Sequence, residues 1–199
     1  MASRILEGGK GEEGLLFVIS APAGTGKTTL AQMLMREFAT VVESVSCTTR
    51  PPRAGEIEGK DYHFMTHSAF EKMVEKGALL EHAEVFGQLY GTSRKEVEQQ
   101  QKAGRHVLLV IDTQGARQLK GKIEATFIFL LPPSLEALRE RLIRRSTESP
   151  EAIEKRLAWA GKEMQMAQEY DYIIVNDDLQ VAYQVLRSIV IAEEHKVRG

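Results

Sequence analysis

Three short apolar runs punctuate the chain, at residues 15–19 (LLFVI), 107–111 (VLLVI) and 127–131 (FIFLL). Each is uninterrupted, has the length of a strand, and carries β-branched or aromatic residues. Such runs are expected to form strands buried on both faces, as in a parallel sheet. Residues 172–175 (YIIV) repeat the pattern. Between the runs the apolar positions take helical spacing: Leu30, Met33, Leu34 and Phe38; Leu135, Leu138 and Leu142; Ile153, Leu157, Ala160 and Met164; Leu179, Ala182, Leu186, Ile189 and Val190. Strands alternating with helices predict an α/β fold with a parallel sheet core and helices on both faces.

Two stretches break this rhythm. Residues 47–95 hold short, mixed strand signals at 63–65 and 83–86, punctuated by Pro51, Pro52, Gly55, Gly59, Gly87 and Gly91. They read as an inserted subdomain. Residues 139–165 are highly charged and helical, interrupted at 146–149; Ser149 is placed to cap the second helix, with Pro150 at its first position and Glu151 facing the dipole. Residues 1–14 are polar and Gly-rich and read as a mobile tail.

Composition narrows the function classes. Lys and Arg number 26 against 28 Asp and Glu, a net charge of −2. That balance argues against a protein that coats nucleic acid or an anionic membrane. The single Cys47 leaves no intramolecular disulfide to form, and no apolar run approaches the ~18 residues of a membrane span. The expectation is a cytoplasmic protein, a monomer or homo-oligomer. His63, His67, His82, His106 and His195 show no metal-ligand spacing. Trp159 and the methionines read as packing residues.

The first run leads into Ser20-Ala21-Pro22-Ala23-Gly24-Thr25-Gly26-Lys27-Thr28-Thr29 and then a helical pattern. This is a P-loop in its strand–loop–helix context. Gly24 and Gly26 let the backbone turn its N–H groups toward phosphate oxygens, and the helix N-terminus favours negative charge. Lys27 is expected at the β- and γ-phosphates, and the Thr28 hydroxyl at Mg²⁺. Ala21 stands where the motif usually opens with glycine, a substitution that fits if its φ is negative. The motif implies a nucleoside triphosphate but not the acceptor.

The acceptor is suggested by a resemblance. The stretch from Ser44 through Cys47-Thr48-Thr49-Arg50-Pro51-Pro52-Arg53-Ala54-Gly55-Glu56 to Gly59-Lys60-Asp61-Tyr62-His63-Phe64 resembles the signature of guanylate kinases. So do Leu80-Glu81-His82-Ala83, Tyr90-Gly91-Thr92, Ile111-Asp112-Thr113-Gln114-Gly115 and Val175-Asn176-Asp177-Asp178-Leu179. The similarity covers nearly all of residues 15–191. It implies a P-loop NTPase fold with an inserted GMP-binding subdomain (47–95), a helical lid (137–165) and a core of 15–46, 96–136 and 166–199. It implies transfer of the ATP γ-phosphoryl group to GMP, with Mg²⁺ accompanying ATP.

By the same resemblance, ATP lies on Ala21, Pro22, Ala23, Gly24, Thr25, Gly26, Lys27, Thr28 and Thr29, with Asn176 near its adenine. GMP is bound by Ser46, Arg50, Arg53, Glu56, Tyr62, Glu81, Tyr90, Thr92 and Asp112. Lys27 and the lid residues Arg141, Arg145 and Arg156 are the catalytic cations. Elementary chemistry agrees for several of these. Two guanidinium groups clamp a phosphate dianion well, and a carboxylate can accept both donors on one edge of guanine. Alone, the Arg-Pro-Pro-Arg loop is equally a solvated turn, Glu81 a surface acid on an edge strand, and Asn176 a strand-end turn residue. Asp112 reads by spacing as a Walker-B acid and also as a helix N-cap. The chain has Val110 where many relatives have aspartate, and Ser146 where they have glycine. Two other readings remain beside the main one: a P-loop kinase for a ribose phosphate, and a catalytically silent guanylate-kinase-like module that binds phosphoproteins.

Overall fold

A computed structural model describes residues 13–145 and 149–197. The elements in chain order are β1 (Leu16–Ser20), α1 (Lys27–Glu37), β2 (Val41–Glu43), β3 (Cys47–Thr48), β4 (His63–Phe64), α2 (His67–Glu75), β5 (Leu79–Val85), β6 (Gln88–Ser93), α3 (Arg94–Lys102), β7 (His106–Ile111), α4 (Thr113–Leu119), β8 (Thr126–Leu131), α5 (Leu135–Arg145), α6 (Pro150–Gln165), β9 (Tyr172–Val175) and α7 (Leu179–Glu194). The expected tail lies outside the described residues except for its last two. Ser146 and the side chain of Arg145 lie outside them as well.

The apolar runs form one parallel sheet in the order β2-β7-β1-β8-β9. Alternation along β1 explains why the run is apolar throughout. Phe17 and Ile19 join a core with Leu30, Ala31 and Leu34 of α1 and Ala182, Leu186 and Val190 of α7. Leu16 and Val18 face the other way, into a core with Val97 of α3 and Ala116 and Leu119 of α4. Both faces are thus covered by helices, as the pattern predicts. Val110 packs against the first of these cores. Arg187 Nε donates to Glu37 Oε1 at 2.6 Å, and the Tyr183 hydroxyl donates to Glu37, tying α7 to α1.

A second sheet, β4-β3-β6-β5, is built wholly within residues 47–93. One side of it is a hairpin, edge strand β5 against β6, turning at Phe86-Gly87. The pairing slips by one residue between Leu79/Ser93 and His82/Gly91, so Leu80 and Glu81 together oppose Thr92. A bulge of this kind re-aims a side chain. Here the re-aimed residue is Glu81, which is buried.

Helices α5 and α6 share a small core of Leu138, Leu142, Ile153, Leu157 and Ala160. Ser149 caps α6 by accepting from the Ala152 N–H at 3.3 Å, with Pro150 at the first helical position. Several finer expectations need correction. Met164 is only half-buried, and the charged residue before it, Glu163, is buried instead. Leu179 opens α7 on the solvent side, and Trp159 is exposed (46 %), so it is not a core residue. No helix among the described residues is long and apolar enough to cross a membrane.

Candidate active site

β1 delivers the chain at the middle of the sheet, and the loop after it must turn sharply into α1. Gly24 (φ 87°) and Gly26 (φ 105°) make that turn in the left-handed region. Gly26 is also the N-cap of α1 and supplies no capping side chain, an arrangement that suits the helix N-terminus to an anion. Ala21 is buried and has no positive φ, as the fit of an alanine requires; Phe86 is the only non-glycine residue with positive φ among the described residues. The Thr25 hydroxyl donates to the Pro22 carbonyl at 2.8 Å. Lys27 folds over the loop, Nζ donating to the Ala21 carbonyl at 2.5 Å. Thr28 and Thr29 are exposed on the first turn.

Asn176, just past β9, is buried and its Nδ2 donates to the Thr25 carbonyl at 2.7 Å. That nitrogen lies 2.6 Å from where a Cβ on Gly26 would stand. The side chain therefore braces the phosphate loop. Arg141 of α5 donates to the Asn176 carbonyl at 2.9 Å, which brings one of the arginines expected in a lid to the same place. Leu142 of α5 lies over Gly24, 3.0 Å from an added Cβ.

The second sheet gathers the residues expected at a monophosphate. The Arg50 guanidinium lies 5.2 Å from the Tyr62 ring centroid and 5.8 Å from that of Phe64. Tyr62 and Tyr90 meet edge to face at 6.0 Å. Glu56 accepts from Arg50 at 2.8 Å and from the Arg53 N–H at 2.7 Å. The Arg50 hydrogen bond holds Glu56 below the usual carboxylate range. An acid so placed anchors the arginine loop and would repel a phosphate dianion. The Arg53 side chain itself is exposed. Ser46 is half-buried, and its carbonyl accepts from the His63 N–H at 2.9 Å.

Glu81 and Thr92 come together across the bulge. The Thr92 hydroxyl donates to Glu81 Oε1 at 2.6 Å, and both residues are buried. Burial pushes the Glu81 carboxyl up to about 7; the Thr92 bond opposes this and the Asp112 charge adds to it. Asp112 at the end of β7 caps α4, accepting from the Gly115 N–H at 2.8 Å and from Gln114 Nε2 at 3.1 Å. Its carbonyl accepts from the Ser20 hydroxyl at 3.3 Å. Asp112 thus links the end of β1 to the Glu81 pocket, and its N-cap geometry is observed directly.

Some contacts around the candidate site have no signal in the pattern. Gln118 clasps the His82 backbone, accepting from its N–H at 3.2 Å and donating to its carbonyl at 2.6 Å, which docks β5 on α4. Arg156 of α6 lies over Phe86 at the hairpin tip, 5.5 Å from the ring centroid. Glu163 of α6 accepts from the Thr113 hydroxyl at 3.1 Å. Burial raises its pKa and the Lys27 ammonium counters that rise. A periodicity argument sees Glu163 only as a polar break in an apolar stripe. Among the described residues no group of three or more His, Cys, Asp or Glu could hold a metal ion.

Comparison with known proteins gives one family. The family model described as guanylate kinase matches residues 13–193. The chain is 59 % identical over 193 residues to a guanylate kinase of Protochlamydia amoebophila (strain UWE25), covering 97 % of this chain and 98 % of that one. It is 48 % identical over 182 residues to a guanylate kinase of Chlamydia pneumoniae, covering 91 % and 89 %. The crystal structure of guanylate kinase from Anaplasma phagocytophilum superposes with a TM-score of 0.78 at 37 % identity, covering 94 % of this chain and 89 % of that one. With its phosphate loop, two sheets and helical pair already in place, the chain belongs to the guanylate kinase family.

Proposed function

We infer that this chain transfers the γ-phosphoryl group of ATP to GMP, giving ADP and GDP by direct in-line displacement. The observation that carries the reading is Glu81. It is a buried carboxylate at a strand bulge, held by Thr92 and joined through Asp112 to the strand that feeds the phosphate loop. Guanine presents N1–H and N2–H₂ donors along one edge, and an ionised carboxylate accepts both. Adenine would leave that buried acceptor unsatisfied.

Each remaining residue has a place in this scheme. Ser46 lines the base side with Thr92 and Asp112. Arg50, Arg53, Tyr62 and Tyr90 hold the monophosphate, with Glu56 keeping Arg50 in position. The triphosphate lies on residues 21–29, and Lys27 leaves the Ala21 carbonyl to reach it. Arg141, Arg145 and Arg156 neutralise charge as it spreads in the transition state. Arg156 must first leave Phe86. The attacking oxygen belongs to a phosphate, so alignment matters more than a general base. Mg²⁺ accompanying ATP would supply further charge neutralisation, and such an ion needs only one or two protein oxygens. The exposed Thr28 hydroxyl fits that limited role. The proposed division is a core of 15–46, 96–136 and 166–199, a GMP subdomain of 47–95 and a lid of 137–165. The helical pair excludes water, which would otherwise compete as acceptor.

Phosphorus NMR of protein mixed with Mg²⁺, ATP and GMP tests the reaction. ADP and GDP are expected to grow in equal amounts. Inorganic phosphate in place of GDP would contradict the reading.

A further inference from the structure

Gly115 is the third residue of α4, buried, with no positive φ. Its conformation therefore does not demand glycine, and alanine would favour the helix by ~1 kcal/mol. Space is what excludes a side chain. A Cβ on Gly115 would stand 2.3 Å from Glu81 Oε2 and 2.9 Å from its Cδ, with Asp112 Oδ1 at 3.4 Å. Glu81 has little freedom to retreat. It is buried, its other oxygen accepts from Thr92 at 2.6 Å, and its backbone is set by the bulge.

We propose that Gly115 is a positioning residue for base selection: the side chain it lacks is the space in which the Glu81 carboxylate stands to meet guanine. The inference rests on the reading of Glu81 given above. It places part of the acceptor specificity on a residue that offers the base no functional group. The carboxylate is gripped between a hydroxyl on β6 and the bare backbone of α4. Such two-sided support is what keeps a recognition group in register.

The test is Gly115→Ala, assayed with GMP and AMP as acceptors and with ATP varied. The GMP kcat/KM is expected to fall about tenfold or more, and the preference for GMP over AMP to narrow with it. The ATP KM is expected to stay within about twofold, since the atoms nearest the added Cβ belong to Glu81 and Asp112 and not to the phosphate loop. A general structural defect would move both substrates together. In a Glu81→Ala background the added methyl has no carboxylate to strike, so there Gly115→Ala is expected to change the GMP KM by less than about twofold.

Unchanged GMP kinetics in the single variant, or the same loss in both backgrounds, overturns the proposal. If the single variant does not fold, the double variant carries the test. Cooperative folding with the GMP KM of Glu81→Ala supports it, and failure to fold overturns it. Glu81→Ala alone separates the two readings. An unchanged GMP preference there removes the base contact and this inference with it. A collapsed preference beside a silent Gly115→Ala removes only the inference.

Discussion

Replacing Glu81 with glutamine should make the nucleotide-free protein more stable while damaging its acceptor selection. The folded carboxyl has its pKa raised from the ordinary 4.5 to about 7, mainly by burial. Between those values the folded state holds a proton that the unfolded chain releases, so this group's effect on stability worsens as pH rises through that range. Above pH 7 the ionised, buried carboxylate costs about 3 kcal/mol, at about 1.4 kcal/mol per pKa unit. Glutamine is neutral and close in shape, and its carbonyl oxygen can still accept from Thr92. Urea unfolding at pH 8 should therefore show Glu81→Gln more stable than the parent by ~1–3 kcal/mol. At pH 4.5 the two proteins should nearly coincide. The same variant should raise the GMP KM, because an amide presents a donor where guanine also presents donors. Equal stability at pH 8, or a difference that does not change with pH, would refute the burial argument.

Other outcomes follow from the same geometry. If guanine needs the ionised carboxylate, the GMP KM should be flat above pH 8 and rise by about tenfold per pH unit below about 7, a trend Glu81→Gln should lack. Lys27→Ala should lower kcat by at least about 10²-fold, while calorimetry still shows GMP binding; loss of GMP binding would mean that Lys27 shapes the acceptor site instead. Asn176→Ala leaves the buried Thr25 carbonyl without its donor, a loss of about 1–3 kcal/mol measurable as a lower Tm. The ATP KM should rise and the GMP KM should not, and the reverse pattern would remove the brace assigned to Asn176.

Legibility from sequence tracked locality. The phosphate loop is readable because its strand, glycines, lysine and helix are consecutive in the chain. The main sheet is readable because strands covered on both faces become continuous apolar runs, as at 107–111. The short strands β2, β3 and β4 carry three, two and two residues, too few to display a period, and they exist through their neighbours in the sheets. Glu81 was visible only through family resemblance, since its burial comes from a register slip and from α4 packing on β5. Glu163 and Gly115 depend on contacts to Thr113 and Glu81, fifty and thirty-four positions away. No window along the chain contains such pairs. Trp159 and Leu179 show the opposite failure: apolar character suggested burial, but nothing packs over them fully.

In the proposed reaction a buried carboxylate selects a guanine-bearing acceptor for a phosphoryl group held on the P-loop. The most direct measurement is ADP release with saturating Mg²⁺ and ATP across GMP, AMP, CMP and UMP, read as kcat/KM. GMP is expected to exceed AMP by about 10⁴-fold or more, the discrimination available to a site whose polar group is left unpaired by the wrong substrate. GMP and AMP values within tenfold of each other, or no turnover with GMP, would contradict it.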